Sequence, residues 1–488
     1  MRHIQILLLS ILFATLSLAD QPNIILIFCD DMGYNDLGCF DSKKIKTPHL
    51  DQMAKEGRRF TNFMVPCSVC SPSRAALMTG CYPKRIEMHE HVLFPKSKRG
   101  MHPDEVTIAD HLKSAGYATA CVGKWHLGHY PETLPKAQGF DSYYGIPYSN
   151  DMNHPDNKRP KGASTRDDSW KNQASTLKWR TPLVIDNDIA ELPTDQRTIT
   201  RRYTDRAIEY VKEQATTDDR KPFFLYLPHS MPHIPLFVPD DAYDPDPANA
   251  YTCTIEHIDA EIGRLMNTVR ELGIAKNTIV IFTSDNGPWL QFKNHGGSAL
   301  PLRAGKGTPF EGGQRVPCVM WAPGRIPPGT SSDAFLSTMD VLPTIAKWVG
   351  KPLGDQRIDG HDASETITGD APSPRTEMVY YTANGRLTGM RQGNWKYLVN
   401  PSRRKANPEK DKDKKDVFML FNLGDDVSES RNLYEDHPDQ VVLLRELMKQ
   451  RDKEITDHQR KAWRATTDNP WPAYPDGLKA AEPVGAAG

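Results

Sequence analysis

Four short apolar runs, each continuous rather than alternating and each stopping abruptly in polar residues, constrain this chain more than any other feature. Residues 23–28 (NIILIF) give way to Cys29, Asp30 and Asp31, and residues 117–122 (YATACV) to GKWHLG. Residues 223–227 (FFLYL) give way to PHSMPH, and residues 278–283 (TIVIFT) to SDNG. An apolar run without alternation is the pattern of a strand covered on both faces. Helical periodicities lie between the runs, at 47–56, 107–115, 201–214 and 254–272, the last with Ile255, Ile258, Ile262 and Leu265 on one stripe. This alternation predicts an α/β fold with a mostly parallel central sheet flanked by helices. Such a sheet binds ligands beyond the carboxyl ends of its strands. Asp30 and Asp31, Lys124 and His126, His229 and His233, and Asp285 and Asn286 would all stand on that edge. Any one pair is ordinary turn chemistry; four together predict one site.

Asp30, Asp31, Asp285 and Asn286 offer oxygen ligands alone, which suit a hard cation, calcium or magnesium, over zinc. Adjacent carboxylates at a semi-buried strand end repel and take up protons unless a cation sits between them. The chain as a whole carries 61 Lys+Arg against 62 Asp+Glu. With no global basic field, nucleic acid and anionic membranes are not its partners, and an anionic substrate has to be caught locally. The 39 prolines imply many fixed loops, where sites are usually built.

At the start, Arg2 and His3 precede an apolar run from 4 to 18 that closes on Ser17, Leu18 and Ala19. This is the pattern of a secretory signal cleaved after Ala19, at residues 1–19. An uncleaved anchor competes with that reading, although Gln5, Ser10, Thr15 and Ser17 interrupt the run. The mature protein is expected to be secreted or periplasmic, with no membrane attachment after cleavage. Eight scattered cysteines argue against a dense disulfide framework. The α/β unit is expected over 20–372. Beyond it, period-two runs (MVYYTA, LTGMRQGNWKYLV, DVFMLFNL) and a helical stretch at 440–455 predict an antiparallel sheet plus helix over 373–465. The mixed charges of 403–416 read as a solvated hairpin loop, and 466–488 as a poorly ordered tail.

Residues 66–80 read PCSVCSPSRAALMTG. Cys70 or Ser71 stands at a helix start, Pro72 fits the first turn and Gly80 suits the exit. Backbone N–H groups at such an N-terminus favour an anion, and Arg74 adds a bidentate donor one turn on. A disulfide with Cys67, a redox CxxC pair, a buried apolar cysteine and a catalytic residue all remain open for Cys70 on spacing alone.

The run Cys70-Ser71-Pro72-Ser73-Arg74 followed by Leu77 to Gly80 resembles the CxPSR element of type I sulfatases. Further elements follow in the family's order: GYATACVGKWH (116–126), IPYSND (146–151), PHIP (232–235), SDNG (284–287) and GKGTPFEGGQRVP (305–317). Within that family the chain resembles arylsulfatases of the arylsulfatase A and N-acetylgalactosamine-6-sulfatase kind. The resemblance implies an alkaline-phosphatase-like sheet and a cysteine at 70 converted to 3-oxoalanine (Cα-formylglycine) by a formylglycine-generating enzyme. It implies one calcium held by Asp30, Asp31, Asp285, Asn286 and residue 70. Arg74 would orient residue 70, Lys124 and Lys306 would clamp sulfate, His126 and His233 would handle protons, and Ser149 would be a further polar contact. The C-terminal subdomain would help shape the pocket. The family often has arginine after Leu-Thr-Gly, where this chain has Cys81; Lys84 or Arg85 is the expected substitute.

The implied reaction is hydrolysis of a sulfate monoester, on a small molecule or a sulfated carbohydrate. One hydroxyl of the hydrated aldehyde attacks sulfur while the alcohol leaves in line, protonated by His233. The other hydroxyl then gives its proton to His126, and the C–O bond breaks to release sulfate and regenerate the aldehyde. Phosphomonoester or phosphonate monoester hydrolysis on the same fold, and a non-catalytic calcium-stabilised binding protein, are the alternatives.

Overall fold

A computed structural model describes residues 21–152, 166–401 and 416–466 of the 488. The signal at 1–19, residues 402–415 of the charged stretch and the tail from 467 lie outside the described residues. No described helix is long and apolar enough to cross a membrane.

The four apolar runs form the strands Asn23–Cys29, Ala118–Val122, Phe223–Pro228 and Thr278–Ser284. They are neighbours in space. The order is Thr278–Ser284, Asn23–Cys29, Phe223–Pro228, Ala118–Val122 and Ser142–Gly145, every pairing parallel. Ile24, Leu26 and Phe28 of the second of these enter one core and Ile25, Ile27 and Cys29 another, all fully buried. Helices Cys70–Thr79, Ile108–Ser114 and Val341–Trp348 cover the first face, and Pro48–Glu56, Ile199–Thr216 and Ala250–Glu271 the second. Double cover is the physical reason these runs carry no alternation.

The sheet is larger and more mixed than the sequence suggests. Arg315–Trp321 runs antiparallel between Thr278–Ser284 and Arg58–Met64, and Thr330–Ser332 and Leu336–Ser337 extend that side. Leu183–Ile185 and Asp188–Glu191 add antiparallel strands at the other edge. Pro317 disguises Arg315–Trp321, because a residue without an N–H normally marks a run as unfit for a sheet interior. Here the register shifts between Val316 and Cys318, where the missing donor is tolerated.

Beyond the main sheet, Glu377–Tyr381, Leu387–Gln392, Trp395–Val399 and Phe418–Asn422 form a four-stranded antiparallel sheet. The helix Pro438–Asp457 packs against it. Its core is not separate: Met64, Ala76 and Met339 share one apolar cluster with Tyr380, Met390, Leu420 and Leu444. The C-terminal sheet is thus built onto the helix that begins at Cys70.

Candidate active site

The parallel register sets Cys29 opposite Ser284, so Asp30 and Asp285 leave their strands side by side. Asp31 takes a left-handed backbone (φ 65°), and its N–H donates to Asp285 Oδ1 at 3.1 Å. Two strands away, the Lys124 ammonium donates to Asp30 Oδ2, and to Ser149 Oγ at 3.2 Å. Cys70 opens its helix from an extended Val69 that provides no side-chain cap, and all ten helical residues are buried. Its Sγ lies 3.3 Å from Asp30 Oδ1 and 3.4 Å from Lys306 Nζ. Gly80 ends the helix at φ 66°, donating to the Ala76 carbonyl at 2.9 Å.

Charge in this cluster is paired. Asp30, Asp31 and Asp285 face Lys124, Lys306 and Arg74, all within about a tenth of full burial. Burial opposes ionisation of Asp30, but Lys124 and then Arg74 outweigh it and hold the carboxyl well below its usual range. Burial pushes Asp31 up, with Lys306 opposing. Burial and the adjacent Asp30 carry Asp285 to about 7. On the Cys70 thiol, burial and then Asp30 raise the pKa far above an ordinary cysteine. Lys306 stays protonated because Asp31 and then Asp30 outweigh its burial.

Arg74 lies deeper than an anion-binding donor. Its Nε and Nη2 donate to Asp285 Oδ2 at 3.0 and 2.8 Å, and its Nη1 to the Lys124 carbonyl at 3.0 Å. It braces the loop that carries Lys124 and fixes one carboxylate.

The three cations already offset the three carboxylates, so repulsion alone does not demand a metal. Two oxygens do. Asp31 Oδ2 and Asn286 Oδ1 are buried with no hydrogen-bond partner, although Asn286 Nδ2 donates to Asp31 Oδ1 at 2.7 Å. Buried oxygens left this way are unfavourable unless something outside the protein satisfies them. Ligand atoms of Asp30, Asp31, Cys70 and His233 lie within 4.8 Å of one another. The oxygens of Asp30 and Asp31, with the orphaned Asn286 Oδ1, are donors that suit a hard cation such as calcium or magnesium.

Both histidines have one nitrogen fixed. His126, at φ 62°, places Nε2 2.9 Å from the Leu93 carbonyl, so Nε2 carries the hydrogen and Nδ1, buried without a partner, keeps its lone pair. Burial, then Lys124, holds it neutral. His233 Nδ1 faces Asn150 Oδ1 at 3.0 Å and the Ile234 carbonyl at 2.7 Å, both acceptors, so Nδ1 is the donor. Its Nε2 then lies 3.7 Å from Asp31 Oδ2, with Ser149 Oγ 3.4 Å from the ring nitrogens. Burial and Lys306 keep His233 neutral; giving up a proton from Nε2 requires that it first gain one there.

Cys70, His126, Ser149, His233 and Lys306 line a cavity of about 210 Å³, while Asp30, Asp31, Lys124, Asp285 and Asn286 lie behind its lining. Trp289, Phe94, Met152 and Val92 supply apolar walls, and Ala383 and Asn384 reach it from the C-terminal sheet. His129 packs on Tyr130 and Tyr148, and His229 is fully buried; neither lines the cavity. The guanidinium beside Cys81 comes from Arg460, whose Nη2 is 3.3 Å from Sγ, while Lys84 and Arg85 pair with Asp452 and with Asp359 and Glu454. Sequence reasoning missed Asn150 as the partner of His233, and Trp289 and Phe94 as walls. Asn150 lies inside a motif already noticed, and its pairing spans 83 positions. Trp289 follows the SDNG strand end by two residues.

The family model described as Sulfatase matches residues 22–351. Human (Homo sapiens) arylsulfatase A is 40% identical over 376 residues, covering 77% of this chain and 73% of the relative. Arylsulfatase G of Rattus norvegicus is 34% identical, covering 87% and 85%. Among solved structures, Ps i-CgsB in complex with k-i-k-neocarrahexaose superposes with a TM-score of 0.74 at 28% identity, covering 91% of this chain and 95% of that one.

Proposed function

The chain belongs to the sulfatase family, and from that premise we propose that it hydrolyses sulfate monoesters with a formylglycine made from Cys70 and one calcium ion. The observation that carries this reading is the placement of residue 70. It stands at an uncapped helix N-terminus, within 3.4 Å of both a carboxylate and an ammonium, and lines the cavity. When present, the hydrated aldehyde supplies an oxygen nucleophile that a neutral thiol cannot match against an anionic ester. Calcium, when bound by Asp30, Asp31, Asn286 and Asp285, supplies positive charge for the sulfuryl oxygens.

The chain's own groups do the rest. Lys124 and Lys306 face the sulfuryl oxygens once a cation shares their carboxylate partners. His126 Nδ1 has the free lone pair needed to accept a hydroxyl proton at residue 70. His233, held through Nδ1 by Asn150, presents Nε2 to the leaving oxygen, with Ser149 between it and Lys124. Trp289 and Phe94 flank the leaving alcohol and limit water. A sulfated carbohydrate is the substrate class we favour, supported by the neocarrahexaose held by a structural relative.

Two measurements test this. With enzyme co-expressed with a formylglycine-generating enzyme, kcat/KM for an aryl sulfate should exceed that for the matched aryl phosphate, and the peptide bearing residue 70 should show the aldehyde by mass. Preference for the phosphate would favour a phosphomonoesterase, and a persistent thiol a binding protein. Separately, Lys124→Ala should lower kcat/KM for the aryl sulfate by on the order of a hundredfold to a thousandfold. An undiminished rate would remove Lys124 from the sulfate contacts.

A further inference from the structure

Below the loop that carries Lys306 lies a second buried charge cluster that the proposed mechanism does not use. Lys396, on the C-terminal strand Trp395–Val399, places Nζ 2.9 Å from Glu311 Oε1 and 2.9 Å from Glu429 Oε1, and all three side chains are fully buried. Glu429, at φ 52°, accepts the Glu311 N–H on Oε2 at 2.7 Å and accepts from Arg303 Nη1 on its carbonyl at 2.7 Å. Arg315 and Arg391 stand 3.5 and 3.8 Å from Glu311 Oε2. Lys306 is thus bracketed on both sides, by Arg303 before it and Glu311 after it, and both grips end on the C-terminal unit.

The link from this cluster to the lysine is short and stiff. Gly312 donates to the Arg303 carbonyl at 2.9 Å, closing the loop at its base. A Cβ on Gly313 would come within 2.3 Å of the Thr308 carbonyl and 2.7 Å of that of Gly305, so the loop lies directly on the backbone beside Glu311. Lys306 and Gly307 donate to the carbonyls of Pro288 and Ser68, both at 2.9 Å. From there Lys306 Nζ reaches Asp31 Oδ1 at 2.6 Å and Cys70 Sγ at 3.4 Å. A wholly buried ion cluster is a poor source of stability, since apolar residues of equal volume commonly do as well. What it does supply is one fixed position for the groups it joins.

We propose that Lys396 and Glu429 are positioning residues that aim the Lys306 ammonium through Glu311, so that the C-terminal sheet sets the sulfate-binding geometry without touching substrate. This rests on Lys306 being a sulfate contact, and the test separates the two ideas. The probes are an aryl sulfate for kcat and KM and inorganic sulfate as competitor, with converted wild type, Lys396→Met, Lys306→Ala and the double variant. Lys396→Met should lower kcat/KM about tenfold to a hundredfold and weaken inhibition by sulfate about as much, as loss of a supporting residue commonly does. Because both changes disable the same group, the double variant should be no slower than Lys306→Ala alone. Should Lys396→Met fail to fold, the triple variant Lys396→Met, Glu311→Gln, Glu429→Gln removes the charges together and carries the same expectations. Losses that multiply in the double variant, or full activity in a folded variant lacking Lys396, would overturn the positioning role alone. A fully active Lys306→Ala would overturn the sulfate-contact reading and the positioning with it.

Discussion

Cys70→Ala should fold as the wild type does and turn over an aryl sulfate on the order of a millionfold more slowly than the converted enzyme, the scale on which losing a covalent nucleophile acts. Folding is expected to survive because alanine suits the first turn of a helix and only Sγ is lost. The helix keeps its apolar anchors Ala75, Leu77 and Met78, all fully buried, and the Gly80 exit. Asp30 loses one contact but retains Lys124, and Lys306 retains Asp31. The check is kcat on an aryl sulfate beside Tm and circular dichroism. A variant with native Tm and native rate would end the case for a nucleophile at this position; one with native Tm and residual activity a millionth of wild type is the expected result.

Much of this site was legible because it is written at strand ends. A strand buried on both faces has to be apolar throughout, so the first charged residue after it marks the sheet edge, as Asp30, Lys124 and Asp285 do. That the four runs lie parallel follows from the helices between them, but their order was not legible, since order in a sheet depends on which helices cover which face. Of the main-sheet strands not foreseen, two escaped for identifiable local reasons. Pro317 sits inside Arg315–Trp321 at a register shift, and Arg58–Met64 opens on two arginines whose side chains reach away to Asp370 and to the Cys39 carbonyl. Arg74 shows the limit of spacing: one helical turn from Cys70 it looked like an anion donor, yet its guanidinium is enclosed by Asp285 and the Lys124 carbonyl. Lys396 was invisible for the opposite reason. It lies in an alternating strand, where lysine normally marks the solvent face, and only the packing of that sheet against the short helix opened by Glu311, and of the chain around Glu429, buries it.

Adjacent carboxylates suggested a cation for charge balance, but Lys124, Lys306 and Arg74 already provide it. The remaining demand comes from Asp31 Oδ2 and Asn286 Oδ1, two buried acceptors with nothing to accept. Calcium at a hundredfold excess over Kd should therefore stabilise the chelator-treated wild type by about 2.7 kcal/mol, seen as a rise in Tm. In Asp31→Ala that rise should vanish, because the variant removes one orphaned oxygen and the carboxylate oxygen that holds Asn286 in place. Turnover should fall by on the order of a thousandfold or more, several kcal/mol of charge stabilisation having gone. Lys306 also loses its 2.6 Å partner in this variant, so its Tm in chelator should drop as well, by up to about 3 to 5 kcal/mol of stability. The decisive quantity is the difference between Tm with and without calcium, which cancels that structural loss. An equal calcium shift in wild type and Asp31→Ala would remove Asp31 from the ligand set. A wild type that responds to magnesium and not to calcium would keep the ligands and change the ion.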